Sequence, residues 1–318
     1  MLKYLVNRVL LAVPTLLLVV ALVFAAVRIV PTDIADIIVT QGAGTFGGEQ
    51  SREAIRKELN LDKPFPVQLA IYVGGLLKGD LGESAYDHKP VSGKIAEALP
   101  VTLELALFSI VLSTFAAIVI GVLSALRQDT WYDYAIRLMT ILAFAAPVFW
   151  VGTLAVVVPA ILWNYSPPLF VVSFFKNPGV NLQQFLIPAV VLALNLLGSV
   201  ARMVRSSMLE VLRQDYIRTA YAKGLETRTV VQRHALRNGF IPVLTFLGLQ
   251  LSNLLGGAVI IESIFALPGL GTLTLGSVVT KDYPQIQGSV LFFGCTVVLV
   301  NLLIDLSYGY IDPRLRRT

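Results

Sequence analysis

Long apolar runs separated by shorter polar stretches decide what this chain can be. Residues 9–30, 101–126, 134–163, 184–204, 240–265 and 288–308 are almost free of charge. Each is long enough, at about 1.5 Å per helical residue, to cross a hydrocarbon core of about 30 Å. In lipid every backbone amide must find its partner inside the protein, and a run of this kind does so as a helix. Composition agrees, with 56% hydrophobic and 14% charged residues, against about one-quarter charged in a soluble domain. The predicted fold is an all-α integral membrane protein with six transmembrane helices. The single cysteine, Cys295, lies in an apolar run; it excludes an intrachain disulfide and reads as packing.

Charge sets the orientation. Two basic residues precede the first run, eight lie between Arg202 and Asn238, and three close the chain, whereas residues 164–183 and 266–287 carry one lysine each. Residues 31–100 hold seven Lys/Arg against ten Asp/Glu. Basic loops stay inside, so both termini (1–8 and 309–318) and the 205–239 loop are predicted to be cytoplasmic, with 31–100, 164–183 and 266–287 outside. The net charge of +5 follows from this asymmetry and calls for no nucleic acid. The first run is longer than a secretory signal's apolar region and lacks a small-x-small cleavage site, so it reads as a permanent span. Pro147 and Pro159 are expected to kink the third span. A short amphipathic helix is expected at 50–59, with Pro64 and Pro66 breaking the chain beyond it.

The polar stretch from Arg202 to Asn238 stands apart. Met208, Leu209, Leu212, Tyr216, Thr219 and Ala220 recur at three- and four-residue spacing, which predicts one face of a helix. Gly224 then suits the left-handed position that ends a helix. Thr227 is placed to cap a second helix carrying Val230, Val231 and His234. The expectation is helix, sharp turn, helix, presenting Thr219, Ala220, Ala222 and Gly224 where a partner backbone approaches. A solvated basic loop that only sets topology is the plainer reading. A DNA-binding helix-turn-helix fits poorly, because both ends are tethered by membrane spans and no third helix is present.

These residues carry a family resemblance. RTAYAKGL at 218–225, HALRN at 234–238 and Ile241-Pro242 resemble the coupling loop of ABC importer permeases, in which an acidic-Ala-Ala triplet stands six residues before a glycine and sixteen before an isoleucine. Here Arg218 replaces the acid and His234 the isoleucine, while Ala220, Gly224 and Leu236 keep their places. Those departures are similar to the dipeptide/oligopeptide/nickel branch. VLLAVP at 9–14, LNLDKP at 59–64, GGLLKGDLG at 74–82, LPVTLEL at 99–105, ALPGLG at 266–271, DYPQIQ at 282–287 and YGYIDPR at 308–314 resemble its first (B-type) permease subunit, in order and nearly end to end. After the first run the family has Leu-Pro-Gly-Asp-Pro, where this chain has Val30-Pro-Thr-Asp-Ile.

The resemblance implies a type I importer permease of a prokaryotic inner membrane with its core at 95–308. It implies a second permease subunit, two ATPases, and an extracytoplasmic binding protein that delivers the solute. Asp215, Arg218, Thr219, Ala220, Ala222, Lys223, Gly224 and His234 would couple the chain to an ATPase. Glu104, Glu262, Pro268 and Gly269 would lie along the pathway or its gate. ATP and Mg would be bound by the partners, and no cofactor by this chain; independently, no G-x-x-x-x-G-K-[ST] loop occurs. Peptides, nickel chelates, haem, glutathione and oligosaccharides all travel through similar permeases.

No catalytic or metal site is expected: HExxH and G-x-S-x-G are absent, and His88 and His234 fall on opposite sides of the membrane. Charge in a span is costly, but Glu104, Glu262 and Asp305 fall near helix ends, where structural pairing or hydration competes with transport. Asn195 and Asn301 are expected to bond neighbouring helices. A secondary transporter, with repeats and paired ionisable groups at the midplane, and a membrane anchor for a cytoplasmic partner remain alternatives.

Overall fold

The computed structural model describes residues 2–29, 53, 56–57, 62–166, 168 and 170–311. The helices are α1 (Leu2–Ile29), α2 (Phe65–Leu77), α3 (Val91–Leu126), α4 (Trp131–Ala145), α5 (Val148–Trp163), α6 (Pro178–Leu212), α7 (Asp215–Ala222), α8 (Leu236–Ile264), α9 (Leu270–Val279) and α10 (Tyr283–Ile311). Among the described residues three helices are long and apolar enough to cross a membrane, and five if each bent pair counts as one span. The helix expected at 50–59 falls largely outside the described residues, as does the tail beyond Ile311.

Several boundaries differ from the sequence expectation, each for a local reason. Pro64 and Pro66 start α2 rather than break the chain, because a proline in the first turn gives up no helical hydrogen bond. The second span begins ten residues early, at Val91, because Val91, Ile95 and Ala98 share one helical face and are buried on it. Asn177 caps α6 by accepting from the Val180 N–H at 3.3 Å, with Pro178 next, so the fourth helix starts well before 184. The expected outer loop at 266–287 contains α9.

The third span differs most. Pro147 does not merely kink it: α4 and α5 meet at 93°. A residue before proline is pushed out of the α region, and Ala146 lies at φ −68°, ψ 124°, with Pro147 also extended. Pro159, by contrast, sits inside α5 without ending it.

One compact unit is built from Val101–Leu267. Its buried cluster includes Leu105, Phe185, Leu192, Val200, Met208 and Ile261. Glycines let its helices close up: a Cβ at Gly121 would lie 2.7 Å from Val204 Cβ, and one at Gly198 would lie 2.9 Å from Phe144 Cβ. The second unit joins Leu2–Pro100 to Pro268–Leu302. In it Asp282 caps α10, accepting from the Gln285 N–H (3.3 Å), the Ala85 N–H (3.0 Å) and Ser84 Oγ (2.5 Å), which ties the 82–90 segment to that helix end.

Candidate coupling site

α6 runs on past the predicted end of its span to Leu212, so Arg205 is a helical residue rather than the start of a loop. The single helix expected through Met208 and Ala220 is cut at Gln214, which is extended at φ −73°, ψ 148°, and α7 begins at Asp215. The break changes which side chains share a face. Ile217 and Ala220, three residues apart, are buried, while Tyr216 and Thr219 are exposed.

α7 ends at Gly224. The Leu225 N–H donates to the Ala220 carbonyl at 3.3 Å and the Gly224 N–H to the Tyr221 carbonyl at 2.9 Å. These are the two bonds of a Schellman cap, and they require a left-handed residue after the last helical one. Gly224 has φ +79°. The chain then turns at Glu226, not Thr227: Glu226 is the extended residue, makes no side-chain cap, and Thr227 is already helical. Thr227–Thr229 leads into a π-helical turn, Val230–Ala235, and on into α8. The wider turn buries Val230, Val231 and Ala235 with Ile217 and Ala220 in one cluster.

Of the residues assigned to coupling, Asp215, Arg218, Thr219, Ala222, Lys223 and Gly224 are exposed together on α7 and its cap. Ala220 is not: at 8% exposure it faces the protein, correcting its place on the presented surface. His234 lies in the π turn, half-buried, and is not on α7. Arg218 and Asp215 approach to 3.5 Å, but both side chains are so exposed that the pair contributes little. Tyr216, Tyr221 and Leu225 add exposed apolar surface beside the charges. The Tyr216 hydroxyl accepts from Asn238 Nδ2 at 3.0 Å, linking α7 to α8.

Sequence reasoning missed the pair that holds α6 above this site. Arg205 donates from Nε to Asp133 Oδ1 at 2.8 Å and from Nη2 to Oδ2 at 2.6 Å. Ser124 Oγ and the Asp129 N–H also donate to that carboxylate, which is fully buried. The available signal was Asp133 in the first turn of a helix that opens beside a polar turn; its partner, 72 residues away, had none.

The four residues assigned to the pathway or gate have different local surroundings. Glu104 accepts from Asn181 Nδ2 at 2.6 Å. Asn181 and Gln184, both buried on α6, also hold the backbone of Phe170 and Val172. Glu262 is fully buried and accepts from Thr102 Oγ1 at 2.6 Å. Pro268 is exposed, and Gly269 is the buried residue before α9, its N–H donating to Thr272 Oγ1 at 3.2 Å.

The family described as "Binding-protein-dependent transport system inner membrane component" matches residues 117–317, and its N-terminal companion matches residues 1–106. The chain belongs to this family. The permease is 41% identical over 310 residues to a Brucella abortus protein named as a permease of a peptide transport system, covering 98% of each chain. It is 36% identical over 340 residues to the dipeptide transport system permease protein of Escherichia coli K12, covering 99% of each. A solved amino acid ABC transporter with histidines matches 69% of the permease and 94% of its own chain, at TM-score 0.50 and 16% identity, a likeness of fold. The permease is thus an inner-membrane subunit of an ABC importer, working with ATPase partners and a binding protein, and is not itself the catalytic component.

Proposed function

We propose that the permease pairs with a second, different permease subunit to form the pathway of an ATP-driven importer of peptides or similarly small solutes. ATP and Mg are held by two ATPase subunits, and α7 is where one of them docks. The observation that carries this reading is the two-sidedness of α7. Its Ile217 and Ala220 are anchored in the core, while Asp215, Arg218, Thr219, Ala222 and Lys223 lie exposed ahead of a glycine cap. A helix of eight residues is too short to be stable alone. Its buried anchors let it transmit force instead of unwinding. The cargo follows the names of the two sequence relatives, a peptide and a dipeptide transport permease. In this arrangement the termini and the 205–239 segment are cytoplasmic, and 31–100, 164–183 and 266–287 face outward.

Reconstitution tests the proposal. The purified permease alone should hydrolyse no ATP and move no solute; with its partner permease, ATPases and binding protein it should take up labelled dipeptide. ATP turnover by the isolated chain would refute the division of labour. In a Cys295→Ser background, labelling of Arg228→Cys in intact cells by an impermeant thiol reagent would refute the orientation.

A further inference from the structure

Four uncharged polar side chains, Asn195, Ser199, Gln250 and Asn253, lie along two helices of the Val101–Leu267 unit. Asn195 is the central residue of α6 and Gln250 the central residue of α8. Gln250 Nε2 donates to Ser199 Oγ at 3.1 Å, and Asn253 Nδ2 donates to Gln250 Oε1 at 2.9 Å. Asn195, one turn from Ser199 on the same face, donates to the carbonyl of Phe144 at 3.2 Å. That carbonyl belongs to the last turn of α4, at the break before Pro147.

Two features mark this face. Polar side chains inside a membrane span face the bundle interior or a wet cavity; yet Asn253 is exposed, and Asn195 and Gln250 are half-buried. Irregular backbone at membrane depth needs its freed groups satisfied, and at the break before Pro147 it is Asn195 that takes up the Phe144 carbonyl. Nothing lies within 4 Å of a Cβ added at Gly256, also exposed, one turn beyond Asn253. The face is therefore open as well as polar.

We infer that Asn195, Ser199, Gln250 and Asn253 form the mid-membrane contact site for the transported solute, and that they read its uncharged amide groups; the chemistry rests on the peptide cargo proposed above. A carboxamide both donates and accepts, as a peptide group does. Among the described residues Oδ1 of Asn195 and Oδ1 of Asn253 accept no hydrogen bond, so acceptors remain for a solute N–H. No charge is present in the set. It contacts the backbone common to all peptides and leaves their side chains unread, which suits a conduit whose binding protein has already chosen.

The test uses the complete importer in proteoliposomes, given either a labelled dipeptide or its depsipeptide, in which an ester oxygen replaces the peptide N–H. The binding protein's own preference is common to all variants and cancels when their selectivities are compared. Asn195→Leu and Asn253→Leu should each lower the preference for the dipeptide by about ten-fold, the weight of one hydrogen bond. Equal slowing of both solutes, or unchanged selectivity, overturns the inference and leaves the peptide reading intact. Failure of the wild-type importer to take up any peptide, with ATPase activity intact, refutes the cargo reading and the amide chemistry with it. Independently, Asn253→Cys in a Cys295→Ser background should react with a small charged thiol reagent during turnover and be protected by transported dipeptide. No reaction in the assembled importer places a partner helix or lipid on this face, and the site falls.

Discussion

Gly224 offers a test that separates backbone conformation from bulk. Its φ of +79° costs an L-residue about 1–2 kcal/mol, and a β-branched one more. Nothing lies within 4 Å of an added Cβ, so alanine meets no clash within the chain and its effect on the chain itself is conformational. A penalty of that size shifts the balance between the capped and frayed ends of α7 by roughly 5–30-fold. Asparagine is larger than alanine but tolerates positive φ better. If the cap is what matters, activity ranks Gly, Asn, Ala, Val in falling order. If free space for the ATPase is what matters, Asn falls below Ala. The assay is dipeptide uptake and ligand-stimulated ATPase activity in the reconstituted complex, normalised to the amount of permease in the membrane. Membrane abundance should stay near wild type, because the cap lies outside the lipid-buried spans. Gly224→Asn performing no better than Gly224→Ala would refute the conformational argument, and wild-type uptake by Gly224→Val would remove α7 from coupling altogether.

Ala220→Asp should reduce membrane abundance, since it buries an unpaired carboxylate, whereas Ala222→Asp, exposed on α7, should assemble normally and lose uptake; immunoblots beside transport assays separate the two. Asp133→Asn should destabilise the permease by about 3–5 kcal/mol by stranding Arg205 against a neutral partner, read as a lower thermal aggregation temperature in detergent. The double exchange Asp133→Leu with Arg205→Met should recover most of that loss, because apolar replacement of a buried ion pair is close to neutral. Gln214→Ala, at an exposed position that caps nothing, should change stability by no more than about 0.5 kcal/mol and leave uptake intact.

Local and global determinants divide cleanly along this chain. By itself the sequence determined the membrane class, because long charge-free runs satisfy their backbone in lipid only as helices. It also determined the turn at Gly224, since a Schellman cap closes within six residues and needs nothing distant. Asn-Pro at 177–178 and the prolines at 64 and 66 are equally local signals of a helix start. Tertiary structure alone decided the rest. Periodicity places side chains around a helix axis but does not say which side meets protein, so Ala220 was assigned to the exposed face until Ile217 and the π turn claimed it. Pro147 announces a disturbance, yet 93° rather than a shallow kink depends on the neighbouring helices that hold the two halves and on Asn195, which takes up a carbonyl at the break. Asp133 with Arg205, and Ser199 with Gln250, join residues whose separation along the chain carries no mark of their meeting. Charge and amide groups inside a membrane must find partners, but which partner they find is settled by packing between helices, and packing is not written in any one stretch.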